Sequence, residues 1–350
     1  MDTLALLETL SNTFGVSGFE DDVREVVRPL AAECADEVRT DVLGNLIATK
    51  RGRSPRTLML DAHMDEIGFI INHVEDSGFL RFGTIGGWDA RVLLAQAVTI
   101  RTRDGAFVRG VIGTLPPHLL DVEERTKAVS LDALFIDIGA ASAAAVAERG
   151  VRVGDPATLA YPFEKLPDGC VLGKALDDRV GCTVLLQALR GLAGRTPELT
   201  VACNFAVAEE VGLRGARTAA YQIDPVIALA LEGTVAADVP GVAGARQVTR
   251  LGAGPAISLA DRGTIVRPHL VRAMERIAEE RRVAYQYKAP GYGGNDAGAI
   301  HLSRAGVLAS GVSVPCRYIH TPLTLLKMSD VEGAIQLVGA FVEEAHTLVG

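Results

Sequence analysis

Aromatic residues are scarce in this chain. They make up 5% of 350 residues, with a single tryptophan, Trp88, so stacking platforms for sugars or bases are few. Basic residues are not in excess either: 35 Lys+Arg stand against 43 Asp+Glu, a net charge of −8. A general nucleic-acid binder needs a basic stripe to displace phosphate counterions, and this balance argues against one. The cysteines Cys34, Cys170, Cys182, Cys203 and Cys316 are odd in number and widely spaced, with no CxxC pair. That reads as reduced, mostly buried thiols rather than a disulfide framework. No apolar run reaches the ~18 residues of a membrane span, and the first residues carry Asp2 and Glu8 where an export leader would be basic. The expectation is a cytoplasmic protein with neither nucleic acid nor membrane as a partner.

What is present is ordinary globular composition, 48% hydrophobic and 22% charged. The length exceeds what one hydrophobic core usually organises, which predicts two domains or one domain with a large insertion. Leu4, Leu7 and Leu10 share a helical stripe. Ser17-Gly18-Phe19-Glu20 has the pattern of a capping box opening a second helix to about Ala32. Thr57–Leu60 is a short, apolar strand that runs into Asp61-Ala62-His63-Met64-Asp65. Between 68 and 163 short apolar runs recur, separated by Asp-Ser-Gly, Gly-Gly and Asp-Gly, as in a small β-barrel or sandwich. From Gly173 onward strands and helices alternate, with helices predicted over Arg179–Leu192, Arg214–Tyr221, Pro268–Arg281, Ala297–Arg304 and Asp330–Leu348. The economical picture is an α/β domain built from residues 1–67 and 164–350, with a β-rich domain, 68–163, inserted.

Several apolar strands end in ionisable groups: His63 and Asp65, Glu209 and Glu210, Glu232, and a last segment reaching His320. Asp177-Asp178 opens a helix. In open α/β sheets the ligand crevice lies at the carboxyl ends of the strands, so these groups are expected to converge. Convergent carboxylates repel each other, and burial raises the cost of each charge. They must protonate or bind cations, and two imidazoles with several carboxylates suit Zn²⁺, Co²⁺ or Mn²⁺. Singly, each residue has a plainer reading. His63 could be structural, Asp177-Asp178 an N-cap and a first-turn acid, Glu209-Glu210 a solvated pair, and His320 a turn residue. Their concordance favours the joint reading.

The chain resembles the M42 family of metallo-aminopeptidases, the glutamyl and tetrahedral aminopeptidase group. The resemblance lies in Asp61–Gly68, Ile85–Trp88, Gly173–Gly181, Glu209–Ala216, Ala236–Gly241, Asp296–His301 and Pro315–His320, in order along most of the chain. It implies a three-layer α/β/α metallo-exopeptidase domain with an inserted PDZ-like β-barrel for oligomerisation. It also implies two divalent ions per subunit, Zn²⁺ or Co²⁺ before Mn²⁺. His63, Asp177 and Glu232 would hold one, and Asp177, Glu210 and His320 the other, with Asp177 bridging. Glu209 would be the general base, Asp65 would orient His63, and a cis peptide would follow Asp177. Peptide substrates and dimers assembling into a tetrahedral dodecamer are implied as well. Thr321, Thr324, Asn295 and Glu232 stand where Ser, an acid, Thr and Asp are usual, so specificity does not transfer from relatives. The alternatives are an endoglucanase-like glycoside hydrolase, which the single tryptophan and paired histidines disfavour, a metal-dependent deacylase, and a non-catalytic assembly protein. His118, His301, Trp88, Gly291–Gly294 and Arg281-Arg282 are expected to be structural or loop residues.

Overall fold

The computed structural model describes residues 2–121, 123 and 127–349. In chain order the strands are β1 (Glu37–Thr40), β2 (Leu46–Lys50), β3 (Ser54–His63), β4 (Gly68–Val74), β5 (Leu80–Ile85), β6 (Ala97–Arg101), β7 (Phe107–Gly113), β8 (Phe135–Asp137) and β9 (Pro156–Leu159). They continue as β10 (Glu164–Lys165), β11 (Cys170–Gly173), β12 (Leu199–Ala206), β13 (Ile227–Val235), β14 (Ala256–Ser258), β15 (Gln286–Lys288), β16 (Leu308–Arg317) and β17 (Thr324–Lys327). The helices are α1 (Thr3–Asn12), α2 (Asp21–Ala32), α3 (Ala143–Glu148), α4 (Leu176–Arg190), α5 (Arg214–Ile223), α6 (Pro268–Arg281), α7 (Ala297–Ile300) and α8 (Met328–Glu344).

Strands β4 to β9 close a barrel in the order β4-β5-β8-β7-β6-β9. Its interior is apolar, built on Phe69, Ile71, Val98, Ile100, Ile112 and Ile136. The other eleven strands form one sheet, β1-β2-β12-β3-β13-β16-β17-β11-β10, with β14 and β15 attached through β16. Its centre, β12-β3-β13-β16, is parallel.

Side-chain alternation along β3 explains the layers. Leu58, Leu60 and Ala62 join the core made with α1, α2, α4, α6 and α8. Met59 joins a second, alanine-rich core with Ala216, Ala219, Ala220, Ala228, Ala230 and Ile300 under α5 and α7. Asp61 and His63 follow Met59 on that second face, so the polar end of β3 points into the thinner layer. Ala230 is in register with Asp61, which brings Glu232 level with His63.

Two sequence expectations change. The helix placed over Ala297–Arg304 is only Ala297–Ile300, because Leu302 is 73% exposed with nothing to pack on and Arg304 turns left-handed, φ 49°. The capping box does not form: α2 starts at Asp21 without a side-chain cap, and Ser17 and Glu20 bond elsewhere. The cysteines are free, four of them buried and Cys170 partly exposed. Among the described residues no helix is long and apolar enough to cross a membrane.

Phe205 is 0% exposed on β12 and Val42 fully exposed. Phe205→Ala is expected to cost about 3–5 kcal/mol in denaturant unfolding, and Val42→Ala less than about 0.5 kcal/mol.

Candidate functional site

Each site residue is delivered by a strand end or the turn after it. His63 closes β3 and Glu232 lies in β13; Glu209-Glu210 follow β12 and His320 follows β16. Three of the turns pass through left-handed non-glycine residues: Ala175 (φ 53°), Ala208 (φ 55°) and His320 itself (φ 56°). Such conformations cost roughly 1–3 kcal/mol each and persist only where surrounding contacts over-determine them. The Asp177–Asp178 peptide is cis.

The side chains converge. His63 Nε2 lies 3.5 Å from Asp177 Oδ1, 3.6 Å from Glu232 Oε2 and 3.9 Å from Glu209 Oε2. His320 Nε2 lies 3.4 Å from Asp177 Oδ2 and 3.3 Å from Glu210 Oε1. The two oxygens of Asp177 therefore face different imidazoles. His63 Nδ1 sits 3.1 Å from the Asp65 carbonyl and 3.3 Å from its Oδ1. With only acceptors before it, Nδ1 carries a hydrogen, and Nε2 is the ring nitrogen presented to the carboxylates of the crevice.

The backbone around these groups is held by two further carboxylates. Asp65, wholly buried, accepts from the Ser17 hydroxyl (2.6 Å) and from the N–H groups of Glu209 (3.0 Å) and Glu210 (3.2 Å). Asp178 accepts from the N–H groups of His63 (3.2 Å), Gly181 (2.9 Å) and Gly233 (3.0 Å). Asp177 and Asp178 depart from helical φ/ψ, so the regular part of α4 begins after them, and the Asp178 bond to Gly181 N–H, three residues on, has N-cap geometry while Asp177 faces the crevice. A Cβ at Gly181 would collide with the Asp178 carboxylate and the Leu231 carbonyl.

The electrostatics are lopsided. Burial pushes Glu209 up to about 8, with Glu210, Asp65 and Asp177 adding to the push and His63 opposing it. Burial raises Glu210 and lifts Glu232 well above the carboxylate range. Burial would drive His63 down, but Asp177, Asp65 and Glu209 outweigh it and hold the ring well above its ordinary value. Burial would raise Asp65, yet the His63 ring, the Ser17 hydroxyl and the Glu209 N–H keep it low.

Among the described residues three groups have ligand atoms within 4.8 Å of one another: His63–Asp177–Glu232, His63–Glu209–Glu210 and Asp177–Glu210–His320. Buried Glu232 Oε1 has no hydrogen-bond donor. An oxygen-and-imidazole donor set with surplus negative charge and an orphaned oxygen fits divalent cations.

Sequence reasoning missed a polar layer one step deeper. Asn204 Nδ2 donates to Asp61 Oδ1 at 2.6 Å, and buried Asp296 meets no N–H or hydroxyl donor, only the Asp61 carboxyl, with which it shares a side-chain hydrogen bond. Burial lifts Asp296 well above the usual range, and the charges of Asp61, Glu209 and Glu232 add to it. The alternation puts Asp61 and His63 on one face of β3, with Asp65 two residues past its end, and was the available signal. Trp88 stacks on Phe69 at 4.9 Å and donates to the Gly68 carbonyl, a local anchor as expected. His118 is exposed, and His301 bonds the carbonyl of Ala297 in its own short helix.

Fold and site together define a class: a metal-dependent hydrolase on an α/β/α scaffold with a barrel inserted in the chain. The profile described as M42 glutamyl aminopeptidase matches residues 44–337. The chain is 34% identical to the lysyl aminopeptidase of Pyrococcus furiosus, over 97% of this chain and 96% of that one. Its structure resembles aminopeptidase APDkam598 from Desulfurococcus kamchatkensis, with a TM-score of 0.94 and 42% identity over 98% and 94% of the two chains. It also resembles the Pyrococcus horikoshii TET1 peptidase, which can assemble into a tetrahedron or a large octahedral shell (TM-score 0.87, 33% identity, 98% and 100% covered). The chain belongs to the M42 glutamyl aminopeptidase family, and its activity is that of an aminopeptidase.

The raised carboxyl groups, and the His63 ring held above its ordinary value, favour protons that a bound cation would displace. Cation uptake at pH 7 is therefore expected to release protons, and the share from Glu209 should shrink as pH rises past about 8. Calorimetry in buffers of different ionisation enthalpy counts them; zero release at pH 7 would contradict the charge balance.

Proposed function

We propose that the protein is a dinuclear aminopeptidase. His63, Asp177 and Glu232 hold one divalent ion, Asp177, Glu210 and His320 hold the other, and Zn²⁺ or Co²⁺ is the native metal. The observation that carries this reading is the Asp177 carboxylate, set between two imidazoles with one oxygen 3.5 Å from His63 and the other 3.4 Å from His320. When bound, such a pair supplies Lewis acidity, which lowers the pKa of a water and polarises an amide carbonyl.

The chain's own groups do the rest. Glu209 projects beside both triads without belonging to the two ligand sets. It takes a proton from the attacking water and returns it to the leaving amine. Asp65 holds the His63 ring through Nδ1 and fixes the Glu209 amide, so ligand and base keep one geometry. The carboxylates bordering the crevice also suit the cationic amino terminus of a peptide, in keeping with removal of single N-terminal residues.

The catalytic unit in this reading comprises residues 1–67 and 164–350, and the barrel region 68–163 is the assembly unit. Phe107, Val111, Leu115 and Leu119 are exposed along and beyond β7, an apolar stripe suited to self-association. Dimers through it, and a closed tetrahedral particle beyond them, follow the resemblance to TET1. We place the enzyme in the cytoplasm.

Glu209→Gln should lower kcat by about 10²–10⁴-fold with metal content near that of the parent. Asp177→Asn should lose both ions, as read by elemental analysis. Aminoacyl-p-nitroanilides with Zn²⁺, Co²⁺ or Mn²⁺ restored to metal-free enzyme should be cleaved, and their N-acetyl counterparts spared. Cleavage of the acetylated series would indicate a deacylase. Val111→Asp should shift the light-scattering mass of the particle downward; an unchanged mass would clear the β7 stripe of an assembly role.

A further inference from the structure

We infer that Glu20 and Ser17, on the segment before α2, are positioning residues for Glu209 and Glu210: they clamp the turn after β12 through its backbone. The inference rests on the reading of Glu209 as the base. The segment is stitched to the end of β3, with Gly15 N–H donating to Glu66 Oε1 (3.1 Å), Glu66 N–H to the Gly15 carbonyl (2.9 Å) and Ser17 N–H to the Glu66 carbonyl (3.2 Å). From that base two side chains reach toward the site. The Ser17 hydroxyl donates to Asp65 Oδ2 at 2.6 Å. Glu20 Oε1 accepts from Gly18 N–H at 2.8 Å and from Ala208 N–H at 3.0 Å, across 188 residues of chain.

Three successive amides are thereby held by carboxylates: Ala208 by Glu20, and Glu209 and Glu210 by Asp65. Ala208 is the left-handed residue of the turn, φ 55°, where an alanine backbone needs outside support. Glu20 is the N-cap residue of α2 and its carbonyl accepts from Arg24 N–H, but neither its side chain nor that of Ser17 caps the helix. Nor is the placement favourable for folding by itself. Glu20 is 4% exposed, and burial together with the charge of Asp65 pushes it up to about 7. A buried acid set near another buried acid, where a helix cap would be cheaper, is the local inconsistency expected of a group retained for the site.

Reach and charge can be separated. E20Q keeps an acceptor oxygen at the same distance and loses the charge; E20D keeps the charge and shortens the side chain by one methylene. If Glu20 acts by holding the Ala208 amide, E20Q should retain kcat within about threefold. E20D and E20A should lose about 10–100-fold in kcat, with KM and metal content near the parent's, as expected for a displacement of the base by ~1 Å or less. S17A should move kcat in the same direction. Amide exchange of the peptide spanning 205–212, read by mass spectrometry, should quicken in E20D and E20A and not in E20Q. Kinetics of E20D within twofold of the parent, E20Q as impaired as E20D, or exchange unaltered in E20D would each overturn the inference. If E20A does not fold, the E20D and E20Q pair decides alone. A parent protein without aminopeptidase turnover would instead sink the proposed function, and the positioning role with it, whatever the exchange shows.

Discussion

The carboxylate of Asp65 joins three parts of the chain that are distant in sequence. It receives the His63 ring, the Ser17 hydroxyl and the amides of Glu209 and Glu210. A fully buried carboxylate is tolerated only when its lone pairs are filled, so the demand of this one group brings the end of β3, the turn after β12 and the N-terminal segment into fixed relation. Asp178 does the same for β3, α4 and β13 through the amides of His63, Gly181 and Gly233. The ionisable crescent in front of these two acids is thus held mainly by backbone bonds. That is how side chains which repel one another can still be kept at fixed separations.

The charge itself is left unbalanced on purpose. Glu209, Glu210 and Glu232 are driven toward protonation by burial, while Asp177 is held low against burial by the two imidazoles. A protein selected only for stability would replace such a cluster with apolar groups. In the dinuclear reading proposed above, cations would reverse the balance: the carboxylates that oppose each other would become ligands, and the raised His63 would give up a proton to coordinate. The barrel contributes differently, with its own apolar core and exposed apolar side chains at Phe107 and Val111.

Much of this was legible in the residues. The parallel strands announced themselves as short apolar runs ending in charge, because a strand buried on both faces has no alternation to show. Helices such as Pro268–Arg281 carried an apolar stripe and matched closely. The short runs between 68 and 163 suggested a small barrel or sandwich, and closure of the sheet decided for the barrel. Other features left no local trace. Strands β14, β15 and β17 are three or four residues long, too short for periodicity to register. The Ser17–Glu20 pattern satisfied a capping rule yet formed no cap, since Asp65 and Ala208 offered those side chains better-placed partners from far along the chain. Asp61 and Asp296 could be suspected from strand spacing and motif position, but their shared burial depended on the sheet.

The amino-acid sequence by itself determined which residues could coordinate or exchange a proton, the family resemblance, and the alternation of strand and helix, because these follow from residue chemistry and local periodicity. Tertiary structure alone decided that one carboxylate stands between two imidazoles, that Asp65 rather than a helix end receives Ser17, and that residue 20 braces residue 208. Those are relations between segments from 48 to 188 residues apart, and only the register of parallel strands and the packing of the N-terminal segment against their ends bring such atoms together.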